Sequence, residues 1–135
     1  MSLDIIVVDD SSVTRAMIVK TLEISGLPIG NVYQASNGQE GLDLLAKHAV
    51  DLAILDINMP VMNGEEMINR MREDNNLVDL PVVVVSTEGS RTRIKSLVQK
   101  GAVFIHKPFE PEAIREIIST LTGTDYDIGE TESDF

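Results

Sequence analysis

Short apolar runs alternate along the chain with segments whose apolar positions recur at helical spacing. Leu3 to Val8 reads as a strand broken only by Asp4, and the polar stretch Asp9 to Ser12 supplies a turn and a helix N-cap. A helix follows from Val13 to about Ser25 and stops at Gly26, with Pro28 beyond it. Asn31 to Ala35 is a weaker strand. Leu42, Leu45, Ala46 and Ala49 then stand at i, i+3, i+4 and i+7, which predicts one helix face. Asp51 to Leu55 is a third strand, Asn58 to Gly64 a loop because of Pro60 and Gly64, and Glu65 to Glu73 a helix. Pro81 opens the most apolar strand, Val82 to Val85. Its four consecutive valines lack polar alternation and require burial on both faces, as in a central parallel strand. Ser90 caps a helix that carries Ile94, Leu97 and Val98 and ends at Gly101; Val103 to His106 is a fifth strand. Pro111 opens a last helix, in which Ile114, Ile117, Ile118 and Leu121 repeat the helical spacing.

Five strand–helix units in succession predict an α/β fold, a (βα)5 doubly wound five-stranded parallel sheet with helices on both faces. From Thr122 onward the character changes: Asp125, Asp127, Glu130, Glu132 and Asp134 bring five negative charges and no cation. The chain therefore divides into one domain over residues 1–121 and an acidic tail or truncated linker over 122–135. The 135 residues suit a single domain with a core of its own.

Charge narrows the function. Eleven Lys and Arg face 22 Asp and Glu, a formal net charge of −11, and removing the tail still leaves −6. Nucleic acid and anionic membrane surfaces both need a basic footprint that is absent, so neither is an expected partner. The lack of cysteine removes thiol catalysis, thiolate metal sites and disulfides. No apolar run approaches the ~20 residues of a membrane span, and the start is not a signal peptide, so a soluble, cytoplasmic protein is expected.

In an open α/β sheet, ligands bind outside the carboxyl ends of the strands. Asp9 and Asp10 follow the first strand, Asp56 the third, Ser86 the fourth and Lys107 the fifth. If the first, third and fourth strands are neighbours, three carboxylates converge. They repel unless something positive sits among them. Oxygen ligands without His or Cys point to a hard cation, Mg²⁺ being the usual one that keeps positions open for phosphate. Lys107 adds a fixed positive charge and Ser86 a hydroxyl donor. These parts suit phosphoryl transfer, in which positioning and charge neutralisation carry most of the catalysis.

The stretches IIVVDDSSVTR, LAILDINMPVMNGEEMI, LPVVVVSTEG and HKPFEPEAI, in that order and spacing, resemble the receiver domain of two-component response regulators over roughly Leu3 to Leu121. The first and last are most similar to stand-alone, chemotaxis-type regulators. The resemblance implies the flavodoxin-like strand order 2-1-3-4-5. It makes Asp56 the phosphoacceptor for a histidine kinase or phosphotransfer protein, with Asp10, Asp56 and the Asn58 backbone carbonyl as direct Mg²⁺ ligands and Asp9 holding a metal-bound water. Ser86 and Lys107 would grip phosphoryl oxygens, and the Lys107–Pro108 peptide would be cis. Ser86 and Phe104 match the switch pair that reshapes the face of the fourth helix, fifth strand and fifth helix, where a downstream target binds. For a chemotaxis protein that target would be a flagellar switch component. Asn58 and Glu88 match positions that tune hydrolysis of the phosphoryl group. Two departures stand out: Thr87 replaces a usually small residue, and a single residue, Val103, separates Gly101-Ala102 from Phe104 where the family usually has two.

The implied function is a phosphorylation-activated switch that catalyses only its own phosphorylation and dephosphorylation. The alternative is the receiver fragment of a longer regulator with a DNA-binding or enzymatic output domain. An aspartate-nucleophile phosphatase of the haloacid dehalogenase type would want a second Asp where Asn58 stands, and a flavin-binding domain would want a Ser/Thr/Gly-rich loop after the first strand.

Overall fold

The computed structural model describes residues 2–124; the acidic residues assigned to the tail, Asp125 onward, lie outside them. Strands and helices alternate as β1 (Leu3–Val8), α1 (Ser12–Glu23), β2 (Ile29–Ala35), α2 (Gly38–Lys47), β3 (Leu52–Leu55), α3 (Gly64–Glu73), β4 (Val82–Ser86), α4 (Arg91–Gln99), β5 (Ala102–His106) and α5 (Pro111–Thr122). The sheet runs β2-β1-β3-β4-β5 with every neighbouring pair parallel, the predicted fold and order. The chain reverses its winding between β1 and β3, which opens a crevice at their carboxyl ends.

The four valines of β4 show why both sheet faces need cover. Val83 and Val85 join Ile5, Val7 and Ile54 under Ile18 and Leu22 of α1 and Ile114 and Ile118 of α5. Val82 and Val84 point the other way, with Ile6, Val8 and Leu55, into Met67, Ile68 and Met71 of α3 and Leu97 of α4. Side chains alternate across a strand, so a strand buried on both sides needs an unbroken apolar run. Polar residues start the helices: the side chains of Ser11, Asn37, Asn63 and Ser90 each accept a backbone N–H of the following first turn. At α3 the Glu66 side chain returns a bond to the Asn63 N–H and completes a capping box.

Three local expectations are corrected. Helix α2 ends at Lys47, and Ala46 and Ala49 are exposed; the face it buries is Gly38, Gly41 and Leu45. A Cβ at Gly41 would stand 2.7 Å from Met67 Cε and 3.1 Å from Val8 Cγ2, so this face packs through missing side chains that a hydrophobic pattern does not register. His48 caps α2 and stacks on Tyr33 with ring centroids 4.4 Å apart. Val98 is 51% exposed, since α4 covers the sheet near its β5 edge and commits only Leu97 fully to the core. Strand β2 begins two residues before the expected Asn31, its entry anchored where the Leu3 N–H donates to the Pro28 carbonyl at 2.7 Å.

The far end of the sheet is tied by Arg72. Its guanidinium donates to the carbonyls of Lys100, Leu77, Val78 and Leu80 at 2.8–3.3 Å, joining α3 to the loop before β4 and to the end of α4. Desolvation pushes its pKa down, and the charge of Asp79 opposes that. The shortened connection into β5 is a tight turn: Gly101 takes φ +87°, open to glycine at little cost, and β5 starts at the next residue.

Candidate functional site

The carboxyl ends of β1 and β3 bring the three aspartates together. One carboxylate oxygen from each of Asp9, Asp10 and Asp56 lies within 4.8 Å of the others. Asp9 is 2% exposed and Asp56 9%, whereas Asp10 is open to solvent. Asp9 Oδ1 accepts the Ser11 N–H at 2.9 Å, and Asp56 Oδ1 accepts the Ile57 N–H at 2.7 Å. Their remaining oxygens share one cation: Lys107 Nζ stands 3.1 Å from Asp9 Oδ2 and 3.3 Å from Asp56 Oδ2. The lysine is held at its root, where its N–H donates to the Ser86 carbonyl at 3.0 Å, and the Lys107–Pro108 peptide is cis. One ammonium among three carboxylates leaves the cluster negative, and its donors are all oxygen. That set fits a hard divalent cation such as Mg²⁺.

Ser86 is the last residue of β4 and fully buried, its Oγ accepting the Glu88 N–H at 3.2 Å. Thr87 and Asn58 are exposed. Glu88 folds back on its own loop, its Oε2 accepting the N–H groups of Gly89 and Ser90 at 3.1 and 3.0 Å. The Ser90 N–H holds the Glu88 carboxyl below the usual carboxylate range, assisted by Arg93 and the Gly89 N–H and opposed by desolvation. Phe104 is half-buried, packed against the core on the α4 side of the sheet, with the His106 ring edge-on at 4.7 Å. Its register opposite Val84 follows from the tight turn at Gly101.

Sequence reasoning missed three contributors. Arg15 donates to the Asp9 backbone carbonyl and, at 3.3 Å, to Gln34 Oε1, bracing the loop after β1. Arg93 reaches both Glu88 and Asn58. One signal did exist for Arg93: a cation in the first turn of a helix opposes the helix dipole, so it wants an anionic partner nearby. Gly64 lies against the Asp56 backbone, where a Cβ would overlap the Asp56 carbonyl oxygen.

Val61, in the loop after β3, sits at φ +67° with 81% of its surface exposed. A β-branched residue is strained there. Val61→Asn, better suited to the left-handed region, is expected to raise the unfolding free energy by about 1 kcal/mol, read as a shifted urea midpoint at unchanged slope. A midpoint at or below wild type would contradict this.

Comparison with known proteins decides the family. The sequence profile of the response regulator receiver domain matches residues 5–119. The chain belongs to this family. A chemotaxis protein CheY homolog of Campylobacter jejuni is 37% identical over 122 residues, which cover 89% of this chain and 92% of that protein. The structure of the chemotaxis protein CheY4 of Vibrio cholerae superposes with a TM-score of 0.79 at 30% identity, covering 90% of this chain and 99% of that one. The receiver domain of the sensor histidine kinase PA1611 from Pseudomonas aeruginosa shares the fold, with a TM-score of 0.80 at 19% identity over 91% of this chain and 99% of that one; its structure has a magnesium ion coordinated in the active-site cleft. This receiver domain is thus of the CheY type, a signalling switch of two-component systems, a class that works with histidine kinases and downstream targets. Among the described residues no helix is long and apolar enough to cross a membrane.

Proposed function

We propose that this receiver domain accepts a phosphoryl group on Asp56 from the phosphohistidine of a histidine kinase or phosphotransfer protein. The observation that carries the reading is Lys107 Nζ between Asp9 and Asp56 inside a cluster of three carboxylates. An Asp56 carboxylate oxygen attacks phosphorus in line, the bond from phosphorus to the histidine nitrogen breaks with its electron pair going to that nitrogen, and the ring, protonated on its other nitrogen, leaves as neutral imidazole while an acyl phosphate forms. Asp9, Asp10, Asp56 and the Asn58 backbone carbonyl would hold Mg²⁺, which when bound neutralises charge on the phosphoryl oxygens. Lys107 neutralises a further share, and Ser86 donates a hydroxyl to the phosphoryl group. For that, the Ser86 hydroxyl leaves the Glu88 N–H, and the space it vacates lets Phe104 turn inward. The face of α4, β5 and α5 then changes shape, a population shift biased by one modification.

The chemotaxis-type reading of this domain is supported by the match over 92% of the C. jejuni homolog's length. That relative's chemotaxis role makes a flagellar switch component the candidate target.

Intact mass after incubation with acetyl phosphate tests the proposal. A Mg²⁺-dependent gain of one phosphoryl group, lost at alkaline pH and absent from Asp56→Asn, is expected. No gain in the folded, Mg²⁺-treated wild type, or a gain that survives Asp56→Asn, would overturn it.

A further inference from the structure

The ring of His106 lies against Phe104 in a T-shaped arrangement, with centroids 4.7 Å apart and planes at 69°. Strand β5 pairs with β4 in parallel register, Phe104 opposite Val84 and His106 opposite Ser86. Val84 and Phe104 both pack into the core on the α3 and α4 side of the sheet. Side chains alternate across a strand, so Ser86 and His106 stand on that same face, one pleat nearer the carboxyl edge. The hydroxyl and the imidazole are therefore lateral neighbours above the Val84 and Phe104 pair. They differ in cover: Ser86 is fully buried, whereas His106 is exposed, because β5 is the edge strand. An exposed ring that meets half-buried Phe104 meets it from the solvent side. The substituent of an exposed edge position contributes little to the core, so the distinctive contact of His106 is the one with Phe104.

We propose that His106 is a positioning residue for the switch: its ring holds Phe104 in the half-buried place it takes in this structure, and so opposes the change that phosphorylation drives. The inference rests on the phosphorylation of Asp56 and the inward turn of Phe104 proposed above. A Phe104 ring that turns toward the space beside Ser86 moves toward β4 and leaves a partner on its solvent side. The contact with His106 is then kept in one arrangement and given up in the other, which is the differential that biases a two-state equilibrium. One aromatic pair is enough to move such an equilibrium about 2- to 10-fold. His106 thereby sets the threshold of the switch through Phe104, without a part in the transfer itself.

The test titrates beryllofluoride, a mimic of a phosphoryl group on a carboxylate, into the full chain with saturating Mg²⁺ and excess fluoride, read by calorimetry. His106→Ala is expected to bind it about 2- to 10-fold more tightly than wild type, because the arrangement that must be left has lost its aromatic partner. His106→Phe keeps a ring at this position and should stay within about twofold of wild type. Phe104→Leu keeps an apolar side chain in the core and removes the ring; in that background His106→Ala should have no effect, since the pair is already broken. NMR of ring-labelled Phe104 without the mimic adds a readout that a loss of packing alone would not move. In His106→Ala its signals should shift toward the positions they take in beryllofluoride-bound wild type. Unchanged or weaker binding by His106→Ala, or an effect that persists in the Phe104→Leu background, would overturn the role of His106 and leave the switch itself standing. A wild type that takes neither beryllofluoride nor a phosphoryl group from acetyl phosphate would overturn it together with the reading beneath it.

Discussion

Gly64→Ala is expected to lower the unfolding free energy by about 3 kcal/mol, the upper end of the range for overpacking. A Cβ on residue 64 would overlap the Asp56 carbonyl oxygen and stand 3.1 Å from both the Asp56 carbonyl carbon and Ile57 Cα. All three are backbone atoms, so no side chain can rotate out of the way. The segment is also pinned, since the Asp56 N–H donates to the Val8 carbonyl at 2.9 Å and the Gly64 N–H to the Ile57 carbonyl at 2.8 Å. Relief requires either that α3 withdraw, opening the packing of Met67, Ile68 and Met71, or that Asp56 shift away from Lys107. Urea unfolding measures the loss, and Gly89→Ala is the control: a Cβ there meets nothing within 4 Å. That variant should stay within about 0.5 kcal/mol of wild type. A Gly64→Ala protein as stable as Gly89→Ala would mean that α3 does not seat on the Asp56 backbone.

These two glycines mark the boundary of what can be read from a one-dimensional pattern. The valines of β4 announce a doubly covered strand because both of their neighbours' faces must be apolar, and that requirement is written into consecutive residues. Asp9, Asp56, Ser86 and Lys107 are legible for a related reason. Each stands at the carboxyl end of a strand, and a parallel sheet gathers all such ends on one edge. Gly41 and Gly64 are silent by contrast, because their contribution is an absent atom whose neighbour lies in another element or loop. Which residues Arg93 and Arg15 meet is silent because a long side chain chooses its partners by reach rather than by period: Asn58 is 35 residues from Arg93, and Gln34 is 19 from Arg15. The face of α2 was misread for the first of these reasons, with Ala46 and Ala49 standing in for the glycines that do the packing.

Lys107→Ala is expected to move two equilibria in opposite directions. Without metal, the Lys107 ammonium is the side-chain cation bonded to both Asp9 Oδ2 and Asp56 Oδ2, and both carboxylates are nearly buried beside Asp10. Removing one partner of a fully buried pair costs more than removing one partly open to water. With Lys107 one-fifth exposed, the unfolding free energy should fall by roughly 2 kcal/mol. The same change takes a competing cation away from an oxygen-only site. An ammonium and a divalent ion sharing a solvent-open cleft repel by roughly 1–2 kcal/mol, so Mg²⁺ should bind about tenfold more tightly to the variant. Saturating Mg²⁺ should therefore restore most of the stability that the substitution removes. Phosphorylation by acetyl phosphate should still be impaired, because an ion held by the aspartates does not replace a charge on the far side of the phosphoryl group. Urea unfolding at zero and saturating Mg²⁺, with a direct Mg²⁺ titration of both proteins, separates the two effects. Weaker Mg²⁺ binding in the variant would show that Lys107 helps to assemble the carboxylates, with its alignment of Asp9 and Asp56 outweighing its repulsion of the metal.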